Sequence, residues 1–239
     1  MRVQQQPSYV LHTRAFSETS LLIDVFTREY GRHSLLAKGA RRLKSQNRGL
    51  IRPFQSLLVS WSGKGQLPTL SGAEPNGPPI ILRGDAWSCA YYMNELLMRL
   101  LHRHDAHEKL FDSYARGLSG LLYDDTREQV LRIFEKQLLR ELGYALVLDC
   151  EADGRTPIEP GRTYHYVPEH GPVRVCREHE NGLKIRGSSL LALSAEMLSE
   201  PQSRRECKRL IRVMLDRQLD GRALTSRRVM YRMRRRITR

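Results

Sequence analysis

No run of about 18 apolar residues occurs in this 239-residue chain, so no segment reads as a membrane-spanning helix. The opening stretch MRVQQQPSYV lacks the apolar core of a secretory signal, and no export is expected. Cysteine is scarce. Cys89, Cys150, Cys176 and Cys207 lie far apart, which excludes a disulfide framework for a chain of this size and points to a reduced, cytoplasmic setting. Aromatic residues make up 7% of the chain, and Tyr9, Phe16, Phe26, Tyr30, Phe54 and Trp61 mostly fall at strand positions where core packing is expected. Acid is missing where base is densest, because no carboxylate lies between Lys38 and Arg52. A metal-dependent nuclease would need a carboxylate cluster beside that stretch. Ser17, Glu18 and Ser20 have no evident base and orienting partner, and no cysteine has a reason to be a nucleophile. The expectation is a protein that is not an enzyme.

What the chain does have is localised positive charge. The formal net charge is +14, and two segments account for it. Residues 28–52 hold eight Lys/Arg and one acid, Glu29, while residues 222–239 hold eight Arg and no acid. Charge concentrated in this way repels itself unless it is solvated or faces a polyanion. The first segment shows no cationic helix with a matching broad apolar face, so nucleic acid is a better partner than a membrane surface. Its centre, LLAKGARRLKSQNRGLIRPF over residues 35–54, leaves an apolar strand and becomes a loop punctuated by Gly39, Gly49 and Pro53. Lys38, Arg41, Arg42, Lys44 and Arg48 are the DNA-contact candidates of that loop, and Arg14 near the end of the first strand is a further one. Flexible cations suit phosphates, and Arg adds bidentate geometry. Such contacts are charge-dominated and tolerant of sequence. In the tail, Arg227, Arg228, Arg232, Arg234 and Arg235 are candidates for holding DNA or the acidic peptide of a partner.

Periodicity changes once along the chain. Alternating apolar residues over 9–13, 20–26, 33–37, 55–61 and 67–73 indicate five short strands, and five strands in so short a stretch suggest a small closed barrel of OB or SH3-like type. PNGPP at 75–79 then breaks the chain, and from Asp85 apolar residues recur at spacings of three and four. Helices are expected over 85–101, 110–122, 126–142, 188–198 and 202–219, with a short one over 226–234 followed by a basic arm. Residues 143–187 read as irregular. They hold Cys150 and Asp153, then Cys176 and His179, at the loop spacing of a zinc ribbon, but Asp is a weaker ligand than thiolate for a closed structural site, and no metal is expected. His102, His104, Asp105 and His107 read as a solvated helix end.

The block YVLHTRAFSETSLLIDVFTREYGRHSLLAKGAR, followed by RPFQSLLVSWSGKGQL and YYMNELLMRLL, resembles the bacterial RecO family of recombination mediators. The likeness continues more weakly through LRIFEKQLLRELGYAL to LTSRRVMYRM, and so covers nearly the whole chain. It implies an α+β multidomain protein: an N-terminal OB-fold β-barrel over 1–78, then a mostly α-helical domain over 79–239. That second domain would carry a zinc-ribbon-like insertion at about 144–187 and a basic tail. In many members the insertion carries two CxxC pairs, and here Asp153 and His179 replace the second cysteine of each. The resemblance also implies binding of single- and double-stranded DNA, annealing of complementary strands, and no catalytic turnover. Implied partners are RecR, the acidic C-terminal tail of single-strand-binding protein and, indirectly, RecA, in a cytoplasmic, nucleoid-associated setting. Composition alone equally permits a general RNA-binding or ribosome-associated OB protein.

Overall fold

The computed structural model describes residues 2–47, 49–65, 67–175 and 182–237, without the side chains of 231 and 234–237. By compactness these fall into two units, Met1–Leu122 with Leu224–Arg239, and Tyr123–Ala223.

In the first unit, β1 (Arg2–Ala15), β2 (Leu21–Thr27), β3 (Gly31–Ala37), β4 (Ser56–Ser62) and β5 (Thr69–Pro75) close into a barrel in the order β1-β2-β3-β5-β4. β3 and β5 meet in parallel at Leu36 and Thr69, while the other pairs are antiparallel. This is the Greek-key closure of the OB fold, which periodicity alone left open against an SH3-like barrel. β1 begins at Arg2, well before the strand that apolar alternation marks at 9–13. Its polar first half is a strand because Arg2–Tyr9 pairs with β4, while Ser8–Ala15 pairs with β2. The register shifts between Val3 and Gln6, where Gln5 takes φ 48°, and again between Val10 and His12. One long strand bent at two bulges therefore serves both neighbours, as barrel closure requires.

Both faces of β2 are covered. Ile23 and Val25 point into the barrel core with Val10, Leu35, Val59 and Trp61. On the outer face Phe26 and Tyr9 pack edge-on and tilted against Phe111 and Tyr114 of α2 (Glu108–Gly120), with centroids 5.1–6.2 Å apart. Such pairs each add about 0.5–1.5 kcal/mol beyond the area they bury. α1 (Asp85–Leu100) buries Ala86, Ala90, Met93, Leu96 and Leu97 on the spacing its sequence shows. Its buried Asn94 donates to the Leu11 carbonyl at 2.8 Å and accepts from the Tyr114 hydroxyl at 2.5 Å. Residues 102–106 of the histidine cluster are exposed, as expected, but they lie beyond the end of α1 and are held by the barrel. α1 stops at Leu100, and His104, at φ 65°, donates its N–H to the Arg32 carbonyl and sets its ring 4.3 Å from that of His33. Gly31 makes this approach possible, because a Cβ there would stand 1.8 Å from the Asp105 carbonyl oxygen.

The chain returns to this unit as α6 (Thr225–Ile237), which packs on α1. The tail expected as a short helix and then an arm is helical to Ile237. Arginine is a good helix former, and Glu95 of α1 caps the start by accepting from Thr225 N–H, Ser226 N–H and the Ser226 hydroxyl.

The second unit holds α3 (Arg127–Glu141), α4 (Gly187–Ser194) and α5 (Pro201–Gln218), with a three-stranded antiparallel sheet of β6 (Thr163–Val167), β7 (Gly171–Arg174) and β8 (Leu183–Arg186) in the order β7-β6-β8. The insertion is therefore less irregular than its Gly and Pro content suggests. Its strands are only four or five residues long, too short for alternation to show above the turns between them. In this unit the Lys136 ammonium, nearly buried, donates to the Leu193 and Ser194 carbonyls at the end of α4 and pairs with Glu196 at 2.7 Å.

Candidate nucleic-acid interface

The loop between β3 and β4 is fixed at its roots and charged at its surface. Ala40 and Ile51 are buried in the barrel core and Leu50 packs against it, so the chain between them is held to the barrel mouth. Lys38, Arg41, Arg42, Lys44 and Arg52 are exposed on it. The turn at residues 16–20 lies alongside. Arg41 donates its N–H to the Thr19 carbonyl at 2.9 Å and its guanidinium to the Ser17 carbonyl at 2.7 Å. Ladder pairing of Ala15 with Leu21, and of Leu21 with Ala37, sets the end of β1 at the same rim, which brings exposed Arg14 near the loop. Phe16 in that turn is 56% exposed rather than in the core, while Tyr9, Phe26, Phe54 and Trp61 are buried as expected.

The structure also sorts the cations of residues 28–52. Arg28 is held by Glu108 at 2.8 Å and by both oxygens of Asp112 at 3.3 Å, and its guanidinium pKa is raised by Asp112 first and Glu108 next. Arg32 donates to the Leu101 carbonyl at 3.0 Å, and burial lowers its pKa. These two arginines anchor the barrel to its own helices. Arg48 lies outside the described residues. Arg52 is one that sequence reasoning passed over. It follows the apolar Ile51 and precedes Pro53, which made it look like the end of the loop rather than part of its face, and it donates to the Gly49 carbonyl at 2.6 Å.

In α6, Arg227 lies 5.6 Å from the Tyr92 ring centroid, while Arg228 and Arg232 are exposed. The side chains of Arg234 and Arg235 lie outside the described residues. Glu95, which seats the helix, was missed because a single Glu amid an apolar helix reads as solvated. Burial acts to raise its pKa, but the hydrogen bonds from Ser226 and Thr225, with Arg99 nearby, outweigh it and leave the carboxyl below its ordinary value.

Of the four candidate zinc ligands, Cys150 and Asp153 lie among the described residues. Asp153 Oδ1 accepts from the N–H groups of Arg155 and Thr156 at 2.9 Å, and Oδ2 accepts from the Thr156 hydroxyl at 2.5 Å. Those bonds, the hydroxyl's first, hold its carboxyl down to about 2. The Cys150 thiol is pushed up by burial and then by Asp149. Cys176 and His179 lie outside the described residues. Among the described residues no group of three or more His, Cys, Asp or Glu could hold a metal ion. In the described half of the set, Asp153 is engaged in a hydrogen-bonded turn with Arg155 and Thr156.

A closed OB barrel with an acid-free cationic loop at its mouth, joined to a helical region, defines the class: an OB-barrel protein with a cationic rim. Residues 1–78 match the family model Recombination protein O N terminal, and residues 82–228 match Recombination protein O C terminal. The chain is 48% identical over 235 residues to DNA repair protein RecO of Nitrosococcus oceani, covering 98% of this chain and 96% of that one. It is 48% identical over 233 residues to DNA repair protein RecO of Dechloromonas aromatica, with 95% of each covered. To DNA repair protein RecO of Coxiella burnetii it is 41% identical over 230 residues, covering 96% of this chain and 99% of the relative. The chain belongs to the recombination protein O family.

Proposed function

We propose that this chain acts in recombinational DNA repair as a DNA-binding mediator without catalytic turnover. It brings complementary strands together and helps load RecA, with RecR, onto DNA covered by single-strand-binding protein. The role in repair follows from membership of the recombination protein O family. The observation that carries the DNA-binding part is the rim itself, where Lys38, Arg41, Arg42 and Lys44 stand exposed with no acid from 38 to 52 to neutralise them. Two strands repel each other through their phosphates, and a surface that neutralises both lowers that barrier until base pairing takes over. Arg14, Arg48 and the α6 arginines would extend the cationic surface. RecR, RecA and the tail of single-strand-binding protein enter as partners on the strength of the family resemblance.

The test is annealing of complementary strands pre-coated with the cognate single-strand-binding protein, native chain against Lys38→Glu/Arg41→Glu/Arg42→Glu/Lys44→Glu. The native chain should anneal them and the variant should not. Annealing retained by the variant moves the DNA surface away from the rim. Failure of the native chain, with strong binding to structured RNA, would replace the reading with an RNA-binding one.

A further inference from the structure

The two tryptophans of the chain occupy opposite settings. Trp61 is 1% exposed in the barrel core, whereas Trp87, on α1, is 44% exposed. Trp87 and Tyr91, one helical turn apart, lie nearly face to face, 6.0 Å between centroids and 26° between planes, and Tyr91 is 45% exposed. Phe54, at the end of the cationic loop, meets both edge-on at 5.5 and 4.9 Å. Phe54 is buried and donates its N–H to the Val10 carbonyl at 3.1 Å, so the pair stands on a fixed base. Covering Phe54 needs only an aliphatic side chain. Two large rings that leave nearly half their surface in water offer more than cover.

Cations neighbour this pair along the chain and on the adjoining helix. Arg52 is exposed two residues before Phe54. Ser88 of α1 donates to Met233 Sδ at 3.3 Å, which brings α6, with exposed Arg228 and Arg232, against the same part of α1. Tyr91 also lines a largely apolar groove of about 520 Å³ with Leu11, Met98 and Val229, a volume that can admit a base. Flat rings near cations match an unpaired nucleotide, which offers a π-face and a phosphate together.

We propose that Trp87 and Tyr91 form a stacking platform for the unpaired bases of a DNA single strand, whose phosphates are neutralised by the neighbouring arginines. The proposal rests on the DNA-binding reading above and names the form of DNA that this surface takes. A duplex keeps its bases stacked on one another and has none to offer, so the platform distinguishes single strands from duplex. It also departs from the purely charge-dominated binding that a 7% aromatic content suggests.

The test is a titration of the full chain with oligothymidylate, and separately with a duplex of equal length, following tryptophan emission. Because Trp61 is buried, a change on binding reports Trp87. Oligothymidylate should quench the emission and duplex should not. Trp87→Leu and Tyr91→Leu keep an apolar cover over Phe54 and should melt as the native chain does. Each should weaken oligothymidylate binding by about fivefold to a hundredfold and duplex binding by less than about twofold. Native affinity in both variants, with no quenching in the native chain, overturns the platform and leaves the DNA-binding reading standing. An equal loss of duplex affinity overturns the single-strand assignment. Failure of the native chain to bind either form overturns the DNA-binding reading, and the platform with it.

Discussion

His33 and Glu95 show how single titratable groups hold this fold. His33 is 6% exposed among Trp61, Tyr30 and His104, and burial, followed by the nearby His104, lowers its pKa to about 4. The unfolded chain, with its histidine near 6.5, binds the proton that the folded chain refuses. Stability should therefore fall as pH drops from about 6.5 to about 4, by up to about 3 kcal/mol from this residue. Denaturant midpoints measured across that range should show the fall, and His33→Gln should flatten it. Glu95 responds to protonation in the same sense, because it too is needed deprotonated, which for a carboxyl is the charged form. Its carboxylate is the better hydrogen-bond acceptor for Thr225 and Ser226, so its contribution is present above the ordinary value of 4.5 and is lost as pH falls below that. Glu95→Ala leaves two helix N–H groups and one hydroxyl without that acceptor, at a cost of about 1–3 kcal/mol. Trypsin should then cut within residues 227–232 sooner than in the native chain, since the seat of α6 is gone.

At the scale of elements, the β2–β3 turn and the β3–β4 loop carry separate duties. Gly31 sits at φ 66°, buried, facing the Asp105 carbonyl, so Gly31→Ala must displace either the turn or residues 101–107. A loss of at least about 2 kcal/mol is expected, read as a lower thermal midpoint. The β3–β4 loop should behave differently. Lys38→Ala or Arg42→Ala should leave the thermal midpoint unchanged and reduce the slope of log K against log salt by about 1 for each phosphate deprived of its cation. Arg28→Ala should do the reverse, since its guanidinium is engaged by Glu108 and Asp112. It should lower the midpoint and leave the salt slope as it was. Arg41 belongs partly to both groups, because it also ties the loop to the Ser17 carbonyl.

For the whole molecule, the proposed DNA binding depends on charge placement rather than on net charge. The net +14 overstates the cations available, because Arg28 and Arg32 are turned to internal contacts while Arg52 joins the exposed set. Were Lys38, Arg41, Arg42, Lys44 and Arg52 the sole contacts, the salt slope for single strands should be about −3 to −4. A steeper slope measured by anisotropy over a range of salt would bring the α6 arginines into the contact surface. Among the described residues no helix is long and apolar enough to cross a membrane.

The amino-acid sequence by itself determined the five strands, the helices that follow, the acid-free loop and the family likeness. Each of these is a local matter: period-two or period-3.6 apolar spacing, Gly and Pro punctuation, and runs of one charge. Tertiary structure decided what depends on residues far apart in the chain. The polar stretch Arg2–Gln6 became strand because β4 lay beside it, and Arg28 became an anchor because Asp112 did. The tail became a docked helix because Glu95, 130 residues earlier, accepts its first N–H groups. Trp87 and Tyr91 became a platform candidate through Phe54, since exposure and ring contact across separate segments have no signature in the order of residues.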